Sequence, residues 1–123
     1  MSRYDLRDRT YAFGLRIVKL VSEFPNTVGG RELARQLIRS GTSIGANAEE
    51  ADGASSRNDF IHKISIAKRE AAETRYWLKI IIDSKTVNNQ QNIDEATALL
   101  SECDELVKIL SAILHKSKNN VEL

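Results

Sequence analysis

Arg31, Arg35 and Arg39 recur every four residues, Lys68, Arg75 and Lys79 share a later segment, and Arg3, Arg7 and Arg9 crowd the N-terminus. Rows of guanidinium and ammonium groups neutralise phosphates and release counterions, which gives a salt-sensitive affinity that does not depend on base sequence. The six cations on the later segments are therefore candidates for contact with RNA or DNA. The same charges have a plainer use, because charged residues beside an apolar helix seam pair across helices. Glu70 and Glu73 are spaced to meet Arg39, and Glu50 lies close to Arg57 in the chain. The net charge of +1 makes no general case for nucleic acid, but its distribution is uneven. Residues 1–40 hold eight Lys/Arg against four Asp/Glu, whereas residues 86–123 hold three against six.

Other chemistries find no constellation. A carboxylate-bridged dimetal site in a helical bundle needs a Glu-x-x-His on each of two helices, and the chain has none. His62 and His115 have no neighbouring cysteine or paired histidine, so no metal is expected. The glycines of "SGTSIGAN" are followed by no Lys-Ser/Thr, which excludes a phosphate loop, and no G-x-G-x-x-G occurs. Serines are plentiful, but none has an identifiable base and orienting group. Cys103 lies on an apolar seam and reads as a small buried hydrophobe. The expectation is a protein that is not an enzyme and has no cofactor.

A lone cysteine suits the reducing cytoplasm. The charged start "MSRYDLRDRTYAF" has no apolar core of a signal peptide. No stretch approaches about 18 uncharged apolar residues, so no membrane association is expected. The Gly41-x-x-x-Gly45 spacing resembles a transmembrane dimer motif, but Arg39, Glu49 and Glu50 flank it too closely.

The elements that carry these residues are legible from steps of three and four between apolar or small positions. The first segment gives Phe13, Ile17, Leu20 and Phe24, and the second Leu33, Leu37, Ser40, Ile44, Asn47 and Ala51. The third gives Phe60, Ile64, Ala67, Ala71, Thr74, Leu78 and Ile81, and the fourth Ile93, Ala96, Leu100, Cys103, Val107, Leu110 and Leu114. Pro25 closes the first segment, Gly53 ends the second, Ser55 or Ser56 caps the third, and "NNQQN" at 88–92 stops it. This pattern predicts an all-α fold, an antiparallel up-and-down four-helix bundle over residues 1–118, with 119–123 as a frayed tail.

Two interior glycines, each costing about 1 kcal/mol relative to alanine, need a compensating contact. If the turn at Gly53–Ser55 folds the second segment onto the third, Ser40 and Gly41 face Ala67 and Ala71, and Gly45 lies near Ile64. The same counting sets Arg39 opposite Glu70 or Glu73, and Arg35 opposite Glu73 or Thr74. Asn47, at a seam position, requires a hydrogen-bond partner among backbone carbonyls, His62 or Ser43.

The stretch "RQLIRSGTSIGANAEEADGASSRNDFIHKISIAKREAAETRYWL" closely resembles the central signature of the bacterial 23S rRNA intervening-sequence proteins, and "DLRDRTYAFGLRIVKL" extends the likeness. Arg39, Ser40, Thr42, Ser43, Ile44, Asn47 and Glu50 match the first half of that pattern. Phe60, Lys68, Glu70, Glu73, Tyr76, Trp77 and Leu78 match the second. Ala48 departs from it, standing where many relatives have a larger apolar or aromatic residue. The signature residues Ser43, Asn47, Glu50, Glu70, Glu73 and Trp77 are read as structural. The resemblance implies a four-helix protomer that assembles as a homopentamer, in a family without a firmly established activity. The chain is also similar to the accessory protein of diversity-generating retroelements, a pentameric barrel whose basic surface is thought to contact nucleic acid and a reverse transcriptase.

Second apolar stripes add an argument for assembly. Leu99, Leu106 and Ile113 form one on the fourth segment, and Tyr11, Leu15 and Val18 form one on the first. A helix with one buried face needs one stripe, and surplus apolar surface marks association sites. These six are the expected interface of a homo-oligomer, with a broad intramolecular core as the alternative. The expected function is a non-enzymatic oligomeric bundle that binds RNA or DNA through basic surfaces. The alternative is a scaffold that docks a protein partner without nucleic acid.

Overall fold

The computed structural model describes residues 3–119. Four helices account for its regular structure: α1 (Arg3–Val21), α2 (Val28–Asp52), α3 (Arg57–Asp83) and α4 (Gln90–Asn119). The starts of α2, α3 and α4 each have a local cause. The Thr27 hydroxyl accepts from the Gly30 N–H, Ser56 from Asp59 and the Asn89 carboxamide from Asn92, at 3.0, 3.0 and 2.8 Å. Each of these satisfies a donor that has no partner within the first turn. Gly53 closes α2 as expected.

The end of α3 comes earlier than the polar run at 88–92. Ser84 caps it, Lys85 adopts φ 59°, and the Thr86 N–H reaches back to the Ile81 carbonyl at 3.1 Å. This left-handed closure turns the chain and lets Val87 bury in the core. At the other end, α4 continues through Asn119, whose carboxamide donates to the His115 carbonyl at 2.9 Å. Residue 119 is thus helical rather than frayed, and residues 120–123 lie outside the described part.

Cross-helix contacts fix the topology. Arg7 meets Glu49 while Gly41 meets Ile17, so α1 and α2 are antiparallel. Lys63 meets Glu50 and Thr74 meets Ser40, which sets α3 against α2 in the same sense. Cys103 and Ser117 of α4 meet Ala71 and Arg57 of α3, and Glu95 and Glu102 meet Arg16 and Arg9 of α1. The result is an antiparallel up-and-down four-helix bundle, with α1 and α4 the loosest neighbouring pair. Phe13, Ile17, Leu37, Ile44, Ile64, Leu78, Ile81, Leu99, Leu106 and Leu110 are fully buried at its centre. Burying each such side chain contributes about 1.5–3 kcal/mol. No helix among the described residues is long and apolar enough to cross a membrane.

Two expectations are corrected here. The glycines do mark close packing, but against α1 and not α3. A Cβ on Gly41 would stand 3.0 Å from Ile17 Cγ1, and one on Gly45 would stand 3.2 Å from the Thr10 carbonyl oxygen. Helix α2 lies between two neighbours, and one residue step turns a side chain by about 100°. Ser40 therefore points to α3, where it meets Thr74 at 2.9 Å, while Gly41 points to α1. Second, Leu99 and Leu106 are fully buried within the single chain and Ile113 is half-buried against the core. They share a face of α4 with Glu95 and Glu102, the side that meets α1. A bundle helix that touches two neighbours needs a wide apolar stripe, so Leu99 and Leu106 are unavailable to another copy.

Candidate assembly groove and basic surfaces

Along the outer junction of α1 and α2 runs a groove of about 530 Å³. Its floor is made by the small residues Gly14, Gly45 and Ala46 with Thr42 and Thr10. A Cβ on Gly14 would lie 3.7 Å from Thr42 Cα, so the two backbones approach closely and leave a shallow trough rather than a ridge of side chains. The α1 wall carries Tyr11, Leu15 and Val18, exposed at 72%, 44% and 44%. On α2, Ile38 is also exposed, a position the apolar spacing did not single out.

One end of the groove is charged. Arg7 donates to Glu49 at 2.9 Å and to Asp52 at 3.0 Å. The hydrogen bond from Arg7 holds the Glu49 carboxyl below its ordinary range. Of the six interface candidates, Tyr11, Leu15 and Val18 are thus on the surface together, while Leu99 and Leu106 are inside.

The six candidate cations do not share one face. Arg39 reaches across to α3, donating to Glu70 at 3.2 Å and to Glu73, as its spacing predicted. Arg35 instead pairs with Glu32 on its own helix at 2.6 Å, because the carboxylate three residues earlier is nearer than α3. Arg31 donates to the Asn26 carboxamide at 2.9 Å. Arg75 bonds Asp104 of α4 at 3.4 Å, on the opposite flank of α3 from Glu70 and Glu73. Lys68 and Lys79 stand seven residues before and four after Arg75, so they lie on that same α4 flank. Neither has a carboxylate partner among the described residues. Arg9 and Arg16 are held by Glu102 and Glu95 of α4 in two-pronged bonds of 2.6–3.0 Å. The side chain of Arg3 lies outside the described residues.

The signature residues knit the α2–α3 hairpin. The Ser43 hydroxyl donates to the Arg39 carbonyl at 2.6 Å, and the Asn47 carboxamide to the Ser43 carbonyl at 2.8 Å. Asn47 therefore uses a backbone carbonyl, one of the partners foreseen for it. Trp77 Nε1 donates to Glu73 at 2.9 Å, so Glu73 joins Arg39 to the indole. Glu50 pairs with Lys63 at 2.8 Å rather than with Arg57, which donates to the Ser117 carbonyl at the end of α4.

Among the described residues no group of three His, Cys, Asp or Glu is arranged to hold a metal ion. The Cys103 thiol is fully buried and donates to the Ala71 carbonyl at 3.0 Å, and burial pushes its pKa up to about 12. It stays a neutral thiol at physiological pH and offers no thiolate nucleophile.

With this geometry established, the sequence profile described as 23S rRNA-intervening sequence protein matches residues 3–112. The chain belongs to this family. The match spans all of α1, α2 and α3 and most of α4. A solved structure similar to this chain is that of a protein with unknown function from the S23 ribosomal protein family of Bacteroides thetaiotaomicron. It is 36% identical, superposes with a TM-score of 0.80, and the alignment covers 94% of this chain and 99% of that one. No curated protein matches. For this member of the intervening-sequence family the four-helix fold is thus shared along nearly the whole of both chains.

Proposed function

We propose that the protein is a non-enzymatic helical bundle that works as an oligomer in the cytoplasm, its copies joined through the α1–α2 groove. The observation that carries this reading is the exposure of Tyr11, Leu15 and Val18 beside a floor of glycine and alanine. Large apolar side chains grouped on a surface lose water contact favourably only when something covers them. The homopentamer that the resemblance of the signature stretch implies supports the same reading. Light scattering over a range of protein concentrations tests it: a mass several times that of one chain is expected, and a monomer at all concentrations would end it.

Nucleic-acid binding is the second reading, favoured by Lys68 and Lys79, which have no carboxylate partner among the described residues. Repeated around an assembly, these ammonium groups form a larger positive surface, to which Arg75, paired with Asp104, adds less. Arg35 and Arg39 contribute less, since Glu32, Glu70 and Glu73 already neutralise them. Mobility shifts with structured RNA and with DNA at two salt concentrations test this, with binding that weakens at the higher salt as the expected result. Absence of binding at low salt would leave the oligomer as a scaffold for a protein partner.

A further inference from the structure

We infer that the outer face of α3, centred on Tyr76 and Ile80, is a stacking platform for the unpaired bases of single-stranded nucleic acid, with the strand's phosphates held along the α4 flank of that helix. This rests on the nucleic-acid reading above and names the form of nucleic acid and the side chains that receive its bases.

The exposed large apolar side chains fall in three places. Tyr11, Leu15 and Val18 line the α1–α2 groove, and Ile38, one turn before Thr42 of the groove floor, continues that side of α2. Val28 stands at the start of α2. Tyr76 and Ile80, exposed at 56% and 36%, are the pair on α3. Four residues apart, they lie side by side on one helix face. Glu70 and Glu73 bind Arg39 of α2 on one flank of α3 and Arg75 binds Asp104 of α4 on the other, so this face looks outward between them.

The Tyr76 ring is held in place. It packs edge-on against Trp77, with centroids 5.1 Å apart at 72°, and the Trp77 indole donates to Glu73 at 2.9 Å. An aromatic side chain already ordered loses little freedom when a flat ligand settles on it. Every base has a π-face, so stacking on tyrosine is tolerant of sequence, whereas a base inside a duplex has both faces covered.

Charge lies to one side of the ring. Arg69, seven residues before Tyr76 and about 10 Å along the helix, shares its face. It is exposed and has no carboxylate partner among the described residues. Lys68 and Lys79 stand on the α4 flank, one before the ring and one beyond it, each likewise without a carboxylate partner among the described residues. On the α2 flank Glu73 faces both Arg39 and the indole, so phosphates find less positive charge there. Asp83, exposed and seven residues after Tyr76, bounds the platform toward the end of α3. A strand that passes Lys68 and Lys79 with its bases turned over Tyr76 and Ile80 satisfies the cations and the apolar pair together. The planar guanidinium of Arg69 extends the same surface, since it too stacks on π-systems. From Arg69 to Lys79 is about 15 Å of helix, so each copy takes only a short stretch of strand.

The test is fluorescence anisotropy at low salt with labelled oligouridylate, labelled oligodeoxythymidylate and a duplex of the same length. The single strands should bind more tightly than the duplex. They should also change the fluorescence of Trp77, the one tryptophan of the chain, because its ring touches Tyr76. Tyr76→Ala, checked for helicity by circular dichroism, should weaken strand binding by about 5- to 150-fold and leave duplex binding unchanged, and Tyr76→Phe should restore it. Tyr76→Leu replaces the alanine variant if helicity falls. Equal affinity for strand and duplex, strand binding that leaves Trp77 unaltered, or a Tyr76→Ala that binds strands as the wild type does would overturn the platform. No binding of any of the three would instead remove the nucleic-acid reading beneath it and leave this face to a protein partner.

Discussion

A Cβ placed on Gly41 of α2 would stand 3.0 Å from Cγ1 and 3.1 Å from Cγ2 of Ile17 on α1, both at the centre of the bundle. That contact explains a glycine in a helix interior, since any side chain there separates the two backbones. Gly41→Leu should destabilise the protein by about 1–3 kcal/mol through overpacking, outweighing a gain of about 1 kcal/mol in helix propensity. Urea unfolding measures the difference. A more stable Gly41→Leu would show that α1 does not close on α2 as described.

Gly29 and Gly30 form an adjacent contrast. A Cβ on Gly29 meets nothing within 4 Å, whereas one on Gly30 would come 2.2 Å from the Pro25 carbonyl oxygen. Gly29→Ala should therefore raise stability by up to about 1 kcal/mol. Gly30→Ala should lower it, because the chain entering α2 must shift. Thermal melts of the two variants should move in opposite directions, and equal shifts would contradict the packing at this turn.

Lys85 holds φ 59° at the end of α3, a left-handed conformation that crowds its Cβ. Replacement by glycine, which adopts that conformation freely, should stabilise the fold by about 1 kcal/mol. A loss of stability on Lys85→Gly would mean that the side chain itself contributes more than the backbone costs.

Arg16 and Glu95 close the α1–α4 side with two bonds of 3.0 and 2.9 Å. The hydrogen bond from Arg16 holds the Glu95 carboxyl below its ordinary value of 4.5. A carboxyl depressed in the folded state contributes stability above its unfolded value and loses it as pH falls through the folded one. Both side chains are more than a third exposed, so the contribution is below about 1 kcal/mol. Melting temperatures of the wild type and Glu95→Gln should differ at pH 7 and converge below pH 4.5, and a gap unchanged into acid would contradict the pairing.

Much of the fold was legible because apolar steps of three and four mark which side of each helix turns inward. Gly53, Ser56 and the Arg39–Glu70–Glu73 cluster fall where local chemistry requires them. Periodicity assigns a face to a helix but does not say which of two neighbours that face meets. Gly41 and Gly45 could be read as close-packed without revealing that α1, not α3, lies against them. The same limit applies to Leu99 and Leu106, since a stripe wide enough for two neighbours within a bundle looks like a stripe with surface to spare. The early end of α3 was hidden because a lysine, not glycine or asparagine, takes the left-handed position. Of the groove, only its α1 wall was visible in sequence. Its floor exists only once Gly14, Gly45 and Ala46 are brought side by side.

Light scattering on the wild type and Leu15→Glu, run side by side at equal concentration, is the most direct test of the groove as the joining surface. The wild type should give a multiple of the 13.8 kDa chain mass, and the variant that of a single chain with unchanged helicity. Two identical masses, whether monomeric or assembled, would contradict it.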